Sequence, residues 1–376
     1  MIVLFGQPER DTDDVRTGFF QEPNFYYLTG WKQPGAILLI DDRREILFVP
    51  DHNRERERWT GPRAAAYDPD VRQVTGFETV LPAERFETEL RASLERRPKI
   101  YTTGESDMAR LRIFAPIREV VDANLTLARM RMKKSPEEIE LLQHAADAAI
   151  AAHWAGWKRA APGVYEYQVA ATVMSAYFDR GCERNAYPPI VGSGPNSVFL
   201  HYQRNQRRMD RGDLLLVDAA GECAGYTADV TRTIPVGGKF TKRQREIYEV
   251  VLGAQKAAIA AVKPGQTIAT RAPNGLYQIA YDYINSHGKD LHGDPLGKYF
   301  IHGISHHIGL EVHDANDPSI PLDEGMVISV EPGIYIPEEN IGIRIEDMVL
   351  VTKDGARVMT AALPREPSDV EKALAP

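Results

Sequence analysis

The sequence predicts an α+β domain preceded by a smaller α/β domain, and three observations carry that expectation. Short β-type runs alternate with polar and helix-type sequence from Phe25 to about Val121. The charged stretch ARMRMKKSPEE, which ends at Glu138, then opens a different regime. Beyond it, long helical candidates with start and stop signals are separated from strands that double back on one another, as in a helical layer packed on an antiparallel sheet. The boundaries read as 1–122 for the first domain, 123–134 for a linker and 135–376 for the second. At roughly 150 residues per domain the chain is long enough for both.

In the first region FYYLTG from Phe25, GAILLID from Gly35, EILFVP from Glu45 and KIYTTG from Lys99 read as strands, and the segment beginning at Pro82 reads as a helix. In the second, Ser135 and Glu138 make a capping box with Pro136 at the first helical position, which predicts a helix over 136–160 that stops before Pro162 and Gly163. Further helices are expected over 165–180, stopped at Gly181, and over 242–262, where Thr241 and Gln244 repeat the capping box and Pro264-Gly265 ends it. A last one is expected over about 273–287, before Gly288. No short-period repeat or low-complexity tract interrupts this order.

The composition, 43% hydrophobic and 26% charged, is that of an ordinary globular chain, and the net charge of −8 argues against a nucleic-acid binder. Basic runs at Arg54–Arg58, Arg129–Lys134 and Arg204–Arg211 read as solvated surface. No stretch approaches the ~18 apolar residues of a membrane span, and the amino terminus lacks a basic leader. Only Cys182 and Cys223 are present, too few for a disulfide framework, so a reducing cytoplasmic setting fits best. Cys223 reads as a small packing residue.

The chemistry is concentrated in the second region. Asp218, Asp229, His306, Glu331 and Glu346 each stand in an apolar stretch: LLLVDAAGECAGYTADVTRT holds the two aspartates, VISVEPGIYI holds Glu331 and GIRIEDMVLV holds Glu346. An unpaired buried carboxylate costs several kcal/mol, so four of them in strands call for cations. One divalent ion cannot comfortably absorb four carboxylates, whereas two can, roughly 3.5–4 Å apart with a bridging hydroxide. Period-two alternation puts Arg344 and Glu346 on one side of a strand, and the step from Asp218 to Asp229 is long enough for a turn at Gly221 and Gly225 that brings both acids to one point. HGISHHIGLEVHD concentrates His302, His306, His307 and His313 among glycines that allow an irregular backbone. One imidazole with four carboxylates suits Mn, Co, Fe or Zn. The bland alternative is that the acids pair with Arg232, Arg344 or lysines.

The series Asp218, Asp229, HGISHHIGLEVHD, VEPGIYI and GIRIEDM resembles the dinuclear metallopeptidases of the pita-bread (creatinase/aminopeptidase) fold, and among them the aminopeptidase P (Xaa-Pro aminopeptidase) family. FYYLTGW with PGAILLID, KKSPEEIELL and IVGSGPNSVFLHY extend the likeness over nearly the whole chain. The resemblance implies a pita-bread catalytic domain that hydrolyses Xaa-Pro bonds at peptide amino termini by means of a hydroxide bridging two divalent ions, most readily Mn. It implies that Asp218 binds one metal, that Asp229 and Glu346 bridge both, and that His306 and Glu331 complete the second site. Glu331 would also shuttle a proton. His201, His302 and His313 match substrate and transition-state histidines, Arg344 an arginine behind the ligands, and Tyr187 and Tyr335 tyrosines near the metals. Trp59 matches an aromatic lent by a neighbouring subunit of a homodimer or homotetramer, and His307 reads as scaffold. The chain departs from the pattern at its shorter amino terminus and at the short loop from Pro337 to Asn340. Prolidase, which cleaves only Xaa-Pro dipeptides, shares the five ligands, methionine aminopeptidase shares the catalytic fold, and non-catalytic or metal-free relatives lose ligands that are all present here.

Overall fold

The structure is a computed structural model that describes residues 1–10, 18–95, 97–269 and 272–375. It divides into two compact units, Met1–Met130 and Arg131–Pro376.

The first unit carries strands β1 (Ile2–Phe5), β2 (Ile37–Ile40), β3 (Glu45–Val49), β4 (Thr79–Pro82), β5 (Lys99–Thr102) and β6 (Glu119–Asp122). Its helices are α1 (Pro23–Thr29), α2 (Arg54–Thr60), α3 (Val71–Thr75), α4 (Phe86–Leu94), α5 (Glu105–Phe114) and α6 (Asn124–Met132), the unit boundary falling inside the last. The strands form one six-stranded sheet in the order β4-β3-β2-β1-β5-β6. Because side chains alternate across a strand, Val3, Phe5, Ile37, Leu39, Ile46 and Phe48 share one face, against Phe86 and Leu90 of α4. Leu4, Leu38, Leu47 and Val49 share the other, against Phe25 of α1 and Leu127 of α6. Both faces are covered, so the central strands are apolar throughout rather than alternating.

The second unit begins with α7 (Pro136–Arg159) and α8 (Glu166–Phe178). Strands β7 (Arg184–Asn185), β8 (Ile190–Ser193), β9 (Leu214–Asp218), β10 (Gly221–Cys223), β11 (Tyr226–Thr227) and β12 (Thr231–Pro235) follow. Next come α9 (Lys242–Ala261) and α10 (Leu276–Ser286), then β13 (Val327–Val330), β14 (Gly333–Ile336), β15 (Ile341–Arg344), β16 (Asp347–Thr352), β17 (Gly355–Val358) and α11 (Pro367–Ala373). All strand pairs in this unit are antiparallel, within the sets β12-β9-β8, β11-β10-β7, β13-β16-β17 and β14-β15. The capping boxes form as expected at Ser135/Glu138 and Thr241/Gln244. The four helices expected from the sequence differ from α7 to α10 only by a few terminal residues.

Several expectations need correction. FYYLTG lies in α1, not in a strand: Glu22 caps the Phe25 N–H, Pro23 fills the first turn and Gly30 ends the helix at φ 63°, and these signals outweigh the β preference of three aromatics. Residues 123–134, read as a linker, are helical over Asn124–Met132, and the boundary between the two units falls among them. The basic run 129–134 is not all surface, because Arg131 and Lys134 are buried and both donate to the buried Asp314 carboxylate, at 2.5 and 3.1 Å. The cysteines are not free: Cys182 is disulfide-bonded to Cys223. The Glu183 N–H donates to the Glu222 carbonyl where the chain leaving α8 runs beside β10, and this brings the two cysteines together. Cys223 is nonetheless fully buried, as a packing residue should be.

Two histidines away from solvent give the unit an acid limit. Burial, with the charge of Arg232 behind it, pushes His153 down to about 4, and burial with Lys134 does the same to His307. Both are neutral in the folded state, while the unfolded chain takes up protons below pH ~6.5. Stability is therefore lost as pH falls from about 6.5 towards 4, by about 3 kcal/mol for each histidine. The unfolding temperature should fall across that window, and His153→Gln, which keeps a donor for the Val230 carbonyl, should flatten the fall. An unchanged acid limb in the variant would refute this account.

Candidate metal centre

The strand ends of the second unit converge on one place. Asp218 closes β9, where it lies opposite Thr231 of β12 and Ile190 of β8. The β10–β11 hairpin turns through Ala224 and Gly225, both at positive φ, and delivers Asp229 just before β12. Glu331 stands between β13 and β14, its N–H bonded to the Ile304 carbonyl, and Glu346 stands between β15 and β16, its N–H bonded to the Thr231 carbonyl. Three of the four acids thus sit one or two residues beyond a strand rather than within it. His306 is held by backbone exchange with Ser329, whose N–H donates to the His306 carbonyl and whose hydroxyl accepts from the His306 N–H at 3.0 Å.

The expected ligands meet. Ligand atoms of Asp218, Asp229 and Glu346 lie within 4.8 Å of one another, as do those of His306, Glu331 and Glu346, so Glu346 belongs to both groups. Asp229 also groups with His306 and His313. His306 Nδ1 faces the His307 carbonyl at 3.1 Å, which leaves Nε2 turned to the acids, 3.3 Å from Asp229 and 3.4 Å from Glu331. A cavity of about 400 Å³ opens over these groups and is lined also by Tyr187, Leu200, His201, Gln203, His302 and His313.

Whether cations fit here can be judged from the polar atoms. Glu346 Oε2 accepts from the Thr231 hydroxyl at 2.7 Å, but its Oε1 is buried with no partner. The Tyr187 hydroxyl lies 2.6 Å from Asp218 and 2.6 Å from Asp229, yet it carries one proton and can donate to only one of them. Four carboxylates face a single guanidinium, Arg344, which donates to Asp218 at 2.5 Å. The bland reading fails on this count, since Arg232 is committed instead to Asp347. An orphaned carboxylate oxygen, a hydroxyl shared between two acids and an excess of buried negative charge all suit a pair of divalent ions.

The same imbalance shows in the titration of the groups. Burial, then the charges of Asp229, Glu331 and Asp218, push Glu346 well above the carboxylate range. Burial raises Asp218 against the pull of Arg344. Burial, opposed by His306, pushes Glu331 up to about 7. Asp229 goes the other way, because His306, Tyr187 and Arg344 together outweigh its burial. His306 is raised to about 9, the bond and charge of Asp229 overcoming burial. Burial lowers His302 to about 3, and its contacts agree: Arg344 donates to the Tyr335 hydroxyl at 2.8 Å, that hydroxyl lies 3.0 Å from His302 Nε2, and Nδ1 faces the Gly303 carbonyl at 2.8 Å. Both ring nitrogens of His302 are therefore engaged.

Comparison with known proteins gives the family. The model of metallopeptidase family M24 matches residues 140–353, more than half of the chain. The chain belongs to metallopeptidase family M24. Within it the aminopeptidase P branch is indicated, since the aminopeptidase P N-terminal domain matches residues 1–101. A Haemophilus influenzae Xaa-Pro aminopeptidase is 36% identical over 99% of this chain and 93% of its own, and a Pyrococcus furiosus Xaa-Pro dipeptidase is 32% identical over 93% and 94%. Among solved structures, proline aminopeptidase P II from Yersinia pestis superposes with a TM-score of 0.87 at 30% identity, covering 99% and 94% of the two chains. A zinc-substituted Escherichia coli aminopeptidase P with product gives 0.87 at 29% identity, covering 99% and 93%. The pita-bread architecture with its amino-terminal domain is thus this M24 chain's fold, and the chain is a metallopeptidase that works with divalent ions. Among the described residues no helix is long and apolar enough to cross a membrane.

Of the residues singled out from the sequence, Trp59 belongs to the first unit, on α2, and is 78% exposed there. Residues not singled out also matter. Thr231 bonds Glu346, Ser329 holds His306, and Leu200 and Gln203 line the cavity.

Proposed function

We propose that this chain removes the first residue from peptides that carry proline in the second position. In this reading Asp218 would hold one ion, Asp229 and Glu346 would be shared by both, and His306 and Glu331 would complete the second, with Mn preferred and Co, Zn or Fe able to replace it. When bound, the two ions lower the pKa of water and polarise the scissile carbonyl. Glu331, at the cavity wall, carries the proton from the attacking water to the leaving nitrogen. That nitrogen is tertiary in an Xaa-Pro bond, so it has no N–H of its own and depends on such a donor. His313 and His201 bracket the substrate carbonyl and donate to the oxyanion as charge develops, an effect worth about 2.7–4 kcal/mol per donor. His302, neutral and fixed by Tyr335 and Gly303, offers its ring to the proline, while Tyr187 and Arg344 hold the acids.

The observation that carries the choice of peptide over dipeptide is the commitment of Arg344. It is the guanidinium of the cavity lining, and each of its three nitrogens is engaged, with Thr231, Tyr335, Asp218 and the Leu200 carbonyl. Among the described residues of that lining no permanent cation is left over to receive a dipeptide's terminal carboxylate. The dipeptidase reading draws its support from the Pyrococcus furiosus relative. Protein stripped by a chelator and reloaded separately with Mn, Co or Zn should be inactive until reloaded. It should then cleave Xaa-Pro-Xaa faster than Xaa-Pro. Preference for the dipeptide would hand the assignment to prolidase, and cleavage of Met-Ala peptides alone would end both.

We further infer a homodimer or homotetramer, supported by the exposure of Trp59, and a cytoplasmic setting, supported by the sparse use of cysteine. The Cys182–Cys223 bond argues against that setting, and the thiol count of protein alkylated inside its cell decides it.

A further inference from the structure

One buried carboxylate away from the metal centre is engaged by the segment that walls the cavity. Glu166, in the first turn of α8, is fully buried. Its Oε1 accepts from the Ser193 N–H at 2.7 Å, the Ser193 hydroxyl at 2.7 Å and the Asn196 amide at 3.0 Å. Its Oε2 accepts from the Arg207 N–H at 2.9 Å and again from Asn196 at 3.3 Å. The Glu166 N–H in turn donates to the Arg207 carbonyl. Ser193 ends β8 and Arg207 precedes β9, so one side chain ties the entry and the exit of a single excursion of the chain. Between those ties lie Leu200, His201 and Gln203, all of which line the cavity, whereas Glu166 does not. Asn205 adds a second tie, between the Val191 N–H and the Pro189 carbonyl. The crown of the excursion is seated as well: the Gly342 N–H donates to the Ser197 hydroxyl, and a side chain at 342 would run into the Ser197 carbonyl.

We propose that Glu166 is a positioning residue that clamps residues 193–207 and thereby sets where Leu200, His201 and Gln203 meet the substrate. All four partner groups are donors, and an ionised carboxylate, which only accepts, can serve every one of them. An amide in its place would turn an NH2 group against some of those donors, and buried donors left unmatched make the loop settle elsewhere. Displacement of about 1 Å at a positioning element can cost on the order of a hundredfold in rate. This inference rests on the aminopeptidase reading for its kinetic arm, and carries a second arm that does not.

The test compares wild-type holoenzyme with Glu166→Gln. Metal content should be unchanged, amide hydrogen exchange should quicken within 194–204 and not around Asp218 or Glu346, and kcat/KM on an Xaa-Pro-Xaa peptide should fall about ten- to a hundredfold, mostly through KM. Asn196→Ala and Ser193→Ala, which each remove one donor, should show smaller shifts in the same direction, and they carry the test if Glu166→Gln does not fold. Lower thermal stability with unchanged exchange in 194–204 and unchanged KM would mean that Glu166 merely supports the fold, and would overturn the proposal. Absence of hydrolysis by the wild type would count against the aminopeptidase reading, while the exchange measurement would still judge the clamp.

Discussion

Glu346→Gln should bind fewer than two divalent ions per chain and turn over peptide at least about 10³-fold more slowly than wild type. Glu346 belongs to two of the three clusters of ligand atoms among the described residues, it is 1% exposed, and one of its oxygens has no protein partner. Removing its charge therefore removes a shared ligand from both ions at nearly constant volume. The ion-free protein should respond in the opposite direction. Without cations the wild type must either take up a proton on Glu346 or bury its charge beside Asp218, Asp229 and Glu331, and either course costs several kcal/mol. Chelator-treated Glu346→Gln should accordingly unfold a few degrees above chelator-treated wild type, while metal-loaded wild type stays above both. Metal analysis, turnover and unfolding temperature on the same preparations check all three. Wild-type-like hydrolysis, or an ion-free variant that unfolds below ion-free wild type, would defeat the assignment of Glu346 as a metal bridge.

Asp347→Ala should lower stability by about 3–5 kcal/mol, read as a drop on the order of ten degrees in unfolding temperature. Asp347 has no solvent exposure, and its two oxygens accept from Arg232, Thr360, Gln255 and Arg365 at 2.6–2.9 Å. Arg232 is equally buried and donates in addition to the Thr231, Glu346, Leu363 and Pro364 carbonyls. Removing the acid leaves a guanidinium without its counter-charge in a place that water does not reach. The loss should extend to the metal centre, because Arg232 holds the backbone of Glu346 and of Thr231, the residue that orients the Glu346 carboxylate. Replacing both members, as in Arg232→Met with Asp347→Leu, should restore much of the stability, since the fully buried guanidinium goes with its counter-charge and the partly exposed Arg365 can turn to water, without restoring the grip on those carbonyls. A single variant as stable as wild type would show that the pair contributes nothing net.

The ligand set was legible because its residues violate the apolar pattern of their strands, and a charge in such a run has few physical excuses. The helices of the second unit were legible for a similar reason: Ser135/Glu138 and Thr241/Gln244 announce their starts through local chemistry that distant residues do not alter. What escaped depends on partners far away in sequence. Arg131 and Lys134 look like surface until Asp314, some 180 residues later, comes to meet them. Asp347 reads as one more charge after Glu346, and nothing near it announces that Arg232, Gln255, Thr360 and Arg365 will surround it. Cys182 and Cys223 are 41 residues apart, and only the pairing of β10 beside the end of α8 brings them into register. The helix at FYYLTG is the one local misreading, where aromatic β preference was set above a cap that was already visible in Glu22, Pro23 and Gly30.

The order of the five ligands along the chain bears on biosynthesis. Glu346 is the last of them and, in the proposed arrangement, bridges both ions together with Asp229, so a nascent polypeptide would lack the completed pair of sites until the chain beyond β15 has been made. In that arrangement loading would follow the making of nearly the whole second unit and would be open to whichever cation the surroundings then offer.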